Sequence, residues 1–223
     1  MNGENISELY RIRFSEAELP RKNAVWKVLC TNYFQNFIDP SFTIVDVACG
    51  YGEFLNNIVA RRKIAVDLNP DTPKFLDTTV EFHQCQATEL GRVVTGVADV
   101  VFTSNFLEHL PDKDILDEFL DQVLIALKPG GIYIVLGPNL RYLPGKYWDF
   151  YDHHLGLTHL SLSEALQLKG FVIETCIDRF LPFTTQGALP AHPWIVRWYL
   201  KFPLAWRFWG AQFLIVARKK RID

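Results

Sequence analysis

The stretch IVDVACGYGEF, residues 44–54, decides the fold that the sequence predicts. An apolar strand runs into a Gly-x-Gly turn, and a helix begins near Gly52. The first N–H groups of a helix that begins at such a turn can point at a bound nucleotide. The match to the dinucleotide fingerprint G-x-G-x-x-G is poor, because Ala48 stands at its first glycine and Phe54 or Leu55 at its third. A pyrophosphate is therefore not the ligand that this turn favours.

Two carboxylates accompany the turn. Asp46 precedes the glycines, where like charge disfavours a phosphate and opposite charge favours an ammonium or a sulfonium. Asp67 ends the next apolar segment, and a carboxylate at that place can accept hydrogen bonds from both hydroxyls of a ribose. The pair fits a ligand with a ribose and a positive charge but no pyrophosphate, which describes S-adenosylmethionine. A purely structural role as strand-end caps is the alternative.

Strand-like and helical segments alternate along the chain. Strands are predicted at 42–48, 63–70, 79–87, 98–105, 132–139, the end of 161–178, and 211–219. Helices are predicted at 23–38, 52–62, 111–131 and the start of 161–178. This alternation predicts an α/β fold with a doubly wound, mostly parallel sheet covered on both faces. We expect a single domain over 1–223 with an N-terminal helical cap over 1–40.

Composition excludes several classes of protein. Hydrophobic residues make up 49% and charged residues 22% of the 223, as in globular domains. The four cysteines form no CxxC pair and are too sparse for a disulfide scaffold. The start of the chain does not resemble a signal peptide, and no apolar run reaches the ~20 residues of a spanning helix. We expect a cytoplasmic protein, attached at most to the inner face of a membrane.

Charge is unevenly distributed. Residues 179–222 contain eight Lys or Arg and no Asp or Glu, whereas residues 1–178 contain 15 basic and 24 acidic residues. The acidic body and the lack of a single-strand-binding platform argue against a nucleic-acid substrate. The basic part is a clue about a partner.

An aromatic and basic insertion, residues 180–210, separates the last two predicted strands. It holds Trp194, Trp198, Trp206 and Trp209, interleaved with Arg197, Lys201 and Arg207. If 192–202 is a helix, Trp194, Trp198 and Phe202 share one face. Three interpretations stay open: a lid over the acceptor with cations for phosphates, a peripheral membrane contact through 192–209, or packing against the sheet or a dimer partner.

Several motifs in order carry a family resemblance. The segments VDVACGYGEF, IAVDLNP, FTSNFLEHLPD and LKPGGIYIVLGPN resemble the class I S-adenosylmethionine-dependent methyltransferases over about residues 40–178. RYLPGKYWDFYDHHLGLTHLSL and HPWIVRWYLKFPLAWRFWG are similar to bacterial methyltransferases associated with glycan or small-molecule biosynthesis. The resemblance implies a seven-stranded Rossmann-like sheet with an antiparallel last strand, and S-adenosylmethionine as the cofactor.

The resemblance also implies which residues contact the cofactor. Ala48, Gly50 and Gly52 would line its methionine part, while Asp67 would bind the ribose. The remaining implied contacts are Leu68 beside the adenine, Gln86 and Ala87 near the adenine amino group, and Asn105 and Phe106 at the methyl-donor pocket. Ala48 departs from the glycine that is commoner in the family, and we expect binding to survive this small change.

Candidate bases lie after the fifth strand, in YWDFYDHHLGLTHLSL, residues 147–162. A hydroxyl acceptor needs a base, and a neutral imidazole suits that task near pH 7. His154, and after it His153, are the predicted bases. A metal bound by Asp152, His153, His154 and His159 is the rival, but their spacing fits no zinc pattern such as HExxH, and we predict no metal. A structural role for these histidines is the third interpretation.

We therefore predict a methyltransferase that acts on a hydroxyl of a small molecule, a sugar or a lipid-linked glycan. Glu108 and His109, at the start of a helix, are predicted to be mainly structural. A nicotinamide-dependent oxidoreductase is one rival, against which Asp46 and the missing third glycine argue. A non-catalytic module that keeps the cofactor fold as a scaffold is the other.

Overall fold

The structure is a computed structural model that describes Glu8, residues 19–183 and residues 192–221. Its seven strands form one sheet in the order β3-β2-β1-β4-β5-β7-β6. The strands are β1 (Thr43–Val47), β2 (Arg62–Asp67), β3 (Val80–Gln84), β4 (Ala98–Ser104), β5 (Leu127–Pro138), β6 (Phe171–Leu181) and β7 (Gln212–Lys219). Strand β7 runs antiparallel to β5 and β6, and the other neighbours pair in parallel. The predicted fold class, with its antiparallel last strand, is confirmed.

Helices cover both faces of the sheet. They are α1 (Leu19–Asn32), α2 (Glu53–Asn57), α3 (Leu90–Val93), α4 (Lys113–Ala126), α5 (His159–Leu168), α6 (Pro193–Lys201) and α7 (Pro203–Trp209). One core cluster joins α4 and α5 to one face, and a second joins α1, α2 and α6 to the other. None of the helices in the described residues is long and apolar enough to cross a membrane.

The central strand and a typical covering helix show how the sequence specifies these layers. All five residues of β1 are buried, as expected of a parallel strand with a helical layer on each side. Helix α4 begins where the side chain of Asp112 accepts a hydrogen bond from the N–H of Ile115 at 2.9 Å. Its buried residues recur at helical spacing, at Leu116, Phe119, Leu120 and Val123.

Three predicted helices are shorter than expected. The helix predicted over 111–131 ends at Ala126, because the backbone turns extended at Leu127 and enters β5 there. The helix predicted over 52–62 ends at Asn57, and β2 has begun by Arg62. The helix predicted over 23–38 ends at Asn32 and is followed by a short 3-10 turn, Phe34–Phe37.

In the described part of the aromatic and basic insertion, residues 192–210, two helices pack through one side. Tyr199 of α6 donates a hydrogen bond to the carbonyl of Phe180 at 2.8 Å, and Trp206 of α7 donates to the carbonyl of Tyr199 at 2.9 Å. The ring of Trp206 also lies 5.1 Å from that of Phe180. The opposite side is exposed at Trp194, Ile195, Trp198, Phe202, Leu204, Phe208 and Trp209. We call these seven residues the aromatic face.

Candidate active site

The turn between β1 and α2 holds an unusual backbone. Ala48, Gly50 and Gly52 have φ angles of 57°, 58° and 74°, in the left-handed region that favours glycine. The N–H of Ala48 is tied to the carbonyl of Val66 at 2.8 Å. A residue with a Cβ in this region is strained by roughly 1–2 kcal/mol. Strain of this kind clusters at functional sites, where the surrounding structure enforces it.

Asp67 at the end of β2 is anchored by the turn that it faces. Its two carboxylate oxygens accept hydrogen bonds from the N–H of Gly50 at 2.7 Å and from the N–H of Asn69 at 2.8 Å. Burial raises the pKa of Asp67, and the backbone N–H groups oppose this rise. Each oxygen has two lone pairs, so the carboxylate keeps acceptor capacity beyond these backbone donors. Ribose hydroxyls need such an acceptor.

The turn is strongly acidic. Asp46 is 3% exposed, and burial, then the negative charges of Asp67 and Glu53, raise its pKa well above the ordinary value. Glu53 opens α2 and pairs with Lys22 at 2.8 Å. A phosphate beside these carboxylates would be repelled, whereas a sulfonium or ammonium would relieve their repulsion. The charge of the turn therefore fits the methionine part of S-adenosylmethionine and opposes a pyrophosphate.

The other predicted cofactor residues lie at the same edge of the sheet. Leu68 follows β2 half-buried, and Gln86 and Ala87 follow β3 at the start of a short 3-10 helix. Asn105 follows β4 with a φ of 49°, and its neighbour Phe106 packs edge-on against Phe119 at 5.3 Å. Ligands of open α/β sheets bind at this carboxyl edge. The roles of Leu68, Gln86, Ala87, Asn105 and Phe106 toward a cofactor stay predictions.

A polar cluster lies one turn beyond Asn105, in the 3-10 helix Leu107–His109. One possible ligand atom each from Glu108, His109 and His153 lies within 4.8 Å of the other two. His109 uses its Nδ1 to contact Asp152, at 3.1 Å to Oδ2 and 3.0 Å to the backbone carbonyl. Glu108, Asp152 and His153 are buried, and the side chain of His109 is 28% exposed. These four residues form what we call the Glu-His cluster.

The backbone fixes the Glu-His cluster. The N–H groups of His154 and Leu155 both donate to the carbonyl of Glu108, at 2.9 and 3.1 Å. Rings also surround His153, with Phe150 stacked at 4.8 Å and Tyr147 edge-on at 5.0 Å. The two segments that supply the cluster are therefore held together before any ligand arrives.

The surroundings of His109 shift its pKa. Burial lowers its pKa, but the hydrogen bond to Asp152 and the charges of Glu108 and Asp152 raise it more, so the pKa lies above its ordinary value. Because Nδ1–H donates to Asp152, the nitrogen that remains for a proton or a ligand in the neutral ring is Nε2.

The structure separates the predicted bases. His153 is buried in the Glu-His cluster, whereas the side chain of His154 is exposed. His159 lies elsewhere, where the side-chain amide of Asn139 donates to its Nδ1 at 2.9 Å, and burial lowers its pKa. Glu108 and His109 are predicted from the sequence to be mainly structural, and no pattern links them to His153, which follows more than 40 residues later. Their position directly after a strand that borders the crevice was the available signal.

The chain is similar to known proteins in one segment of its sequence and in its fold. Residues 44–131 match the family described as "Methyltransferase domain". A search of curated proteins gave no match. The fold is similar to a SAM-dependent methyltransferase from Archaeoglobus fulgidus, with a TM-score of 0.66, 20% identity and coverage of 96% of this chain and 99% of that one. It is also similar to one from Mesorhizobium loti, with a TM-score of 0.58, 19% identity and coverage of 84% and 96%.

A third structure shows what such likeness leaves open. The [4+2]-cyclase SpnF has a TM-score of 0.64 and 16% identity, with coverage of 99% of this chain and 97% of that one. At such identities the likeness shows the fold alone, which is the Rossmann-like methyltransferase fold. The methyltransferase domain match over 44–131, with the acidic turn and Asp67 inside it, supports S-adenosylmethionine as the cofactor and methyl transfer as the reaction.

Proposed function

We propose that this protein transfers the methyl group of S-adenosylmethionine to a hydroxyl of a sugar, a glycan or a related small molecule. The observation that carries the proposal is the position of the Glu-His cluster, one turn past Asn105 at the carboxyl end of β4. A hydroxyl must lose its proton as its oxygen attacks a methyl carbon, whereas a neutral amine can attack first. Proton-accepting groups beside the methyl-donor pocket therefore favour a hydroxyl acceptor.

The chemistry divides between cofactor and protein. When bound, S-adenosylmethionine supplies an electrophilic methyl carbon, whose bond to sulfur breaks with its electron pair left on sulfur as the acceptor oxygen bonds to carbon. Asp67 and the acidic turn hold the ribose and the methionine part in place, which lowers the barrier by positioning. The Glu-His cluster accepts the hydroxyl proton, and Asp152 holds the ring of His109 in one tautomer.

The test is a methyl-transfer assay over sugar, nucleotide-sugar and small hydroxylated acceptors. The variant Glu108→Gln keeps the size of the side chain and removes its charge, and we expect it to lower kcat by roughly 10²–10⁴ on the acceptor that is found. His109→Asn tests the partner of Asp152, and His153→Asn and His154→Asn test the bases predicted from sequence. Full activity in all four variants, or transfer only to amines, would contradict the proposal.

We further propose that the acceptor is presented at an anionic membrane surface, as a lipid-linked glycan would be. The aromatic face exposes seven large apolar residues, and Arg197, Lys201 and Arg207 on the same two helices are exposed beside it. Helices with aromatic residues and cations together lie in the interface of anionic membranes. Arg207 also lines a cleft of about 460 Å³ with Arg179 and Asp178 of β6, so two cations and one carboxylate line this cleft.

Vesicle binding tests this second part. The protein should sediment with phosphatidylglycerol vesicles and much less with phosphatidylcholine vesicles, and high salt should release it. We expect the double variant Trp198→Ala with Phe208→Ala, and separately Arg197→Ala with Arg207→Ala, to lose most of this binding. Lys113→Ala, an exposed cation on α4, is the matched control. Equal binding by all variants, or none by the parent protein, would leave the aromatic face without a membrane role.

A further inference from the structure

We infer that the Glu-His cluster binds one divalent transition-metal ion of the zinc class. The proposed ligands are the carboxylate of Glu108 and one ring nitrogen each of His109 and His153, whose candidate atoms lie within 4.8 Å of one another. No metal is predicted from the sequence, because the spacing of Asp152, His153, His154 and His159 fits no zinc pattern. The structure brings Glu108 and His109 into that set and leaves His154 and His159 outside it.

The donor set specifies the class of ion. Two imidazoles with one carboxylate occur in catalytic zinc sites and in iron(II) sites, where the remaining coordination positions are open. Mg²⁺ and Ca²⁺ prefer oxygen ligands, so two nitrogen donors argue against them. A divalent ion would lie between the three side chains, whose candidate ligand atoms are within 4.8 Å of one another.

Asp152 supports the same inference from outside the proposed ligand set. Histidines that bind metals usually donate their second ring N–H to a carboxylate or a carbonyl, which orients the ring. His109 does both, since its Nδ1 lies 3.1 Å from Asp152 Oδ2 and 3.0 Å from the Asp152 carbonyl. This leaves Nε2 as the ligand atom of His109. The rings of Tyr147 and Phe150 pack against His153 and hold the ring of this third ligand in place.

The inference deepens the proposed hydroxyl methylation and rests on it only for its purpose. A cation at the Glu-His cluster would bind the acceptor oxygen and lower the pKa of its hydroxyl, as zinc lowers that of bound water. Side chains and ion would then share the task of removing the hydroxyl proton. Metal binding itself requires no acceptor and can be measured on the protein alone.

The experiment is a calorimetric titration of chelator-treated protein with Zn²⁺, repeated with Co²⁺ while its visible absorption is recorded. We expect one ion per chain, a Co²⁺ spectrum of a site with nitrogen ligands, and no comparable binding of Mg²⁺. Glu108→Gln and His109→Asn should each weaken Zn²⁺ binding at least tenfold. Asp152→Asn leaves all three proposed ligands in place and should weaken binding about 10–100-fold.

His154→Asn is the matched control, because this exposed neighbour of His153 lies outside the ligand set and should bind Zn²⁺ like the parent protein. Titration of each variant with S-adenosylmethionine checks that it is folded, since that ligand uses the turn after β1. Absence of one-to-one binding, or equal affinity in Glu108→Gln, His109→Asn and His154→Asn, would overturn the inference.

If the ion binds but only amines are methylated, the acceptor proposal fails and the metal site stands. If no ion binds but a hydroxyl is methylated, the metal inference fails and the acceptor proposal stands.

Discussion

Asp46 is the residue where function and stability oppose each other most clearly. Because its pKa is raised in the folded protein, the unfolded chain releases this proton more easily. Ionisation of Asp46 therefore costs stability, increasingly as the pH rises above the ordinary value of 3.8 until the raised pKa is passed. We predict that Asp46→Asn unfolds at a higher temperature at pH 7 and binds S-adenosylmethionine more weakly.

Thermal unfolding and calorimetry on the same two proteins check this pair of effects. S-adenosylhomocysteine, whose sulfur is neutral, should lose less affinity than S-adenosylmethionine in Asp46→Asn. A variant that is less stable, or that loses affinity equally for both ligands, would show that Asp46 stabilises the fold and does not act on the sulfonium.

The same carboxylates predict a pH dependence of cofactor binding. Burial raises the pKa of both Asp46 and Asp67 above 3.8, and a bound sulfonium favours their ionised forms. Binding therefore releases protons, and affinity should increase with pH between 3.8 and the raised values and level off above them. Dissociation constants over about pH 4.5 to 8 should fall with a steeper slope for S-adenosylmethionine than for S-adenosylhomocysteine. Equal slopes for the two ligands would contradict the role of the sulfonium charge.

We predict opposite changes in stability for Ala48→Gly and Gly52→Ala. Ala48→Gly removes left-handed strain, and after the entropy cost of glycine it should stabilise the protein by about 0.5–1 kcal/mol. Gly52→Ala combines a φ of 74° with a Cβ that would lie 2.2 Å from Cδ2 of Leu76, so it should destabilise by about 1–3 kcal/mol. Urea unfolding of both variants measures these differences. Similar values for the two would mean that the turn relaxes in solution.

At the scale of elements, the segment that carries the Glu-His cluster depends on Tyr147. This buried side chain donates to the carbonyl of Leu155 at 2.6 Å and accepts from the N–H of Leu157 at 3.3 Å. Tyr147→Phe leaves these buried groups without the hydroxyl and should destabilise by about 1–3 kcal/mol. The exposed Tyr151 offers the control Tyr151→Phe, which should be within 0.5 kcal/mol of the parent by urea unfolding, roughly the range of surface changes. Equal stability of the two variants would show that the hydroxyl of Tyr147 does not stabilise this segment.

Element boundaries show how far the sequence alone could predict the fold. Periodicity placed all seven strands, because buried parallel strands leave short apolar runs between helices. The predicted end of α4 was wrong. Lys128 and the following Pro-Gly-Gly look like a helix stop, but they belong to the start of β5, which pairs with β4 at Ala98. Local patterns contain no information about such pairing.

The residues of the candidate site also differ in how far the sequence could predict their positions. Asp46, Gly50 and Asp67 could be predicted because one short motif and the strand after it determine their positions. The Glu-His cluster could not, because it joins the end of β4 to a segment more than 40 residues later through backbone hydrogen bonds. Sequence neighbours such as His153 and His154 point in different directions, so adjacency suggested a pair that the fold separates.

Across the whole molecule, the acidic turn, the Glu-His cluster and the aromatic face divide the proposed tasks of cofactor binding, proton transfer and membrane contact. The first two both lie at the carboxyl edge of the sheet, and the aromatic face lies on the helices between β6 and β7. This division separates three failures that can be measured independently: loss of cofactor binding, loss of turnover and loss of membrane binding. We expect Arg197→Ala with Arg207→Ala to bind S-adenosylmethionine like the parent protein.

We expect Asp67 and the acidic turn to bind S-adenosylmethionine. A calorimetric titration with S-adenosylmethionine, S-adenosylhomocysteine and NAD, on the parent protein and on Asp67→Ala, measures this binding. We predict one-to-one binding of the two sulfur ligands, a loss of affinity of about tenfold to a hundredfold or more in Asp67→Ala, and no binding of NAD. Absence of binding by both sulfur ligands, or equal affinity in Asp67→Ala, would contradict it.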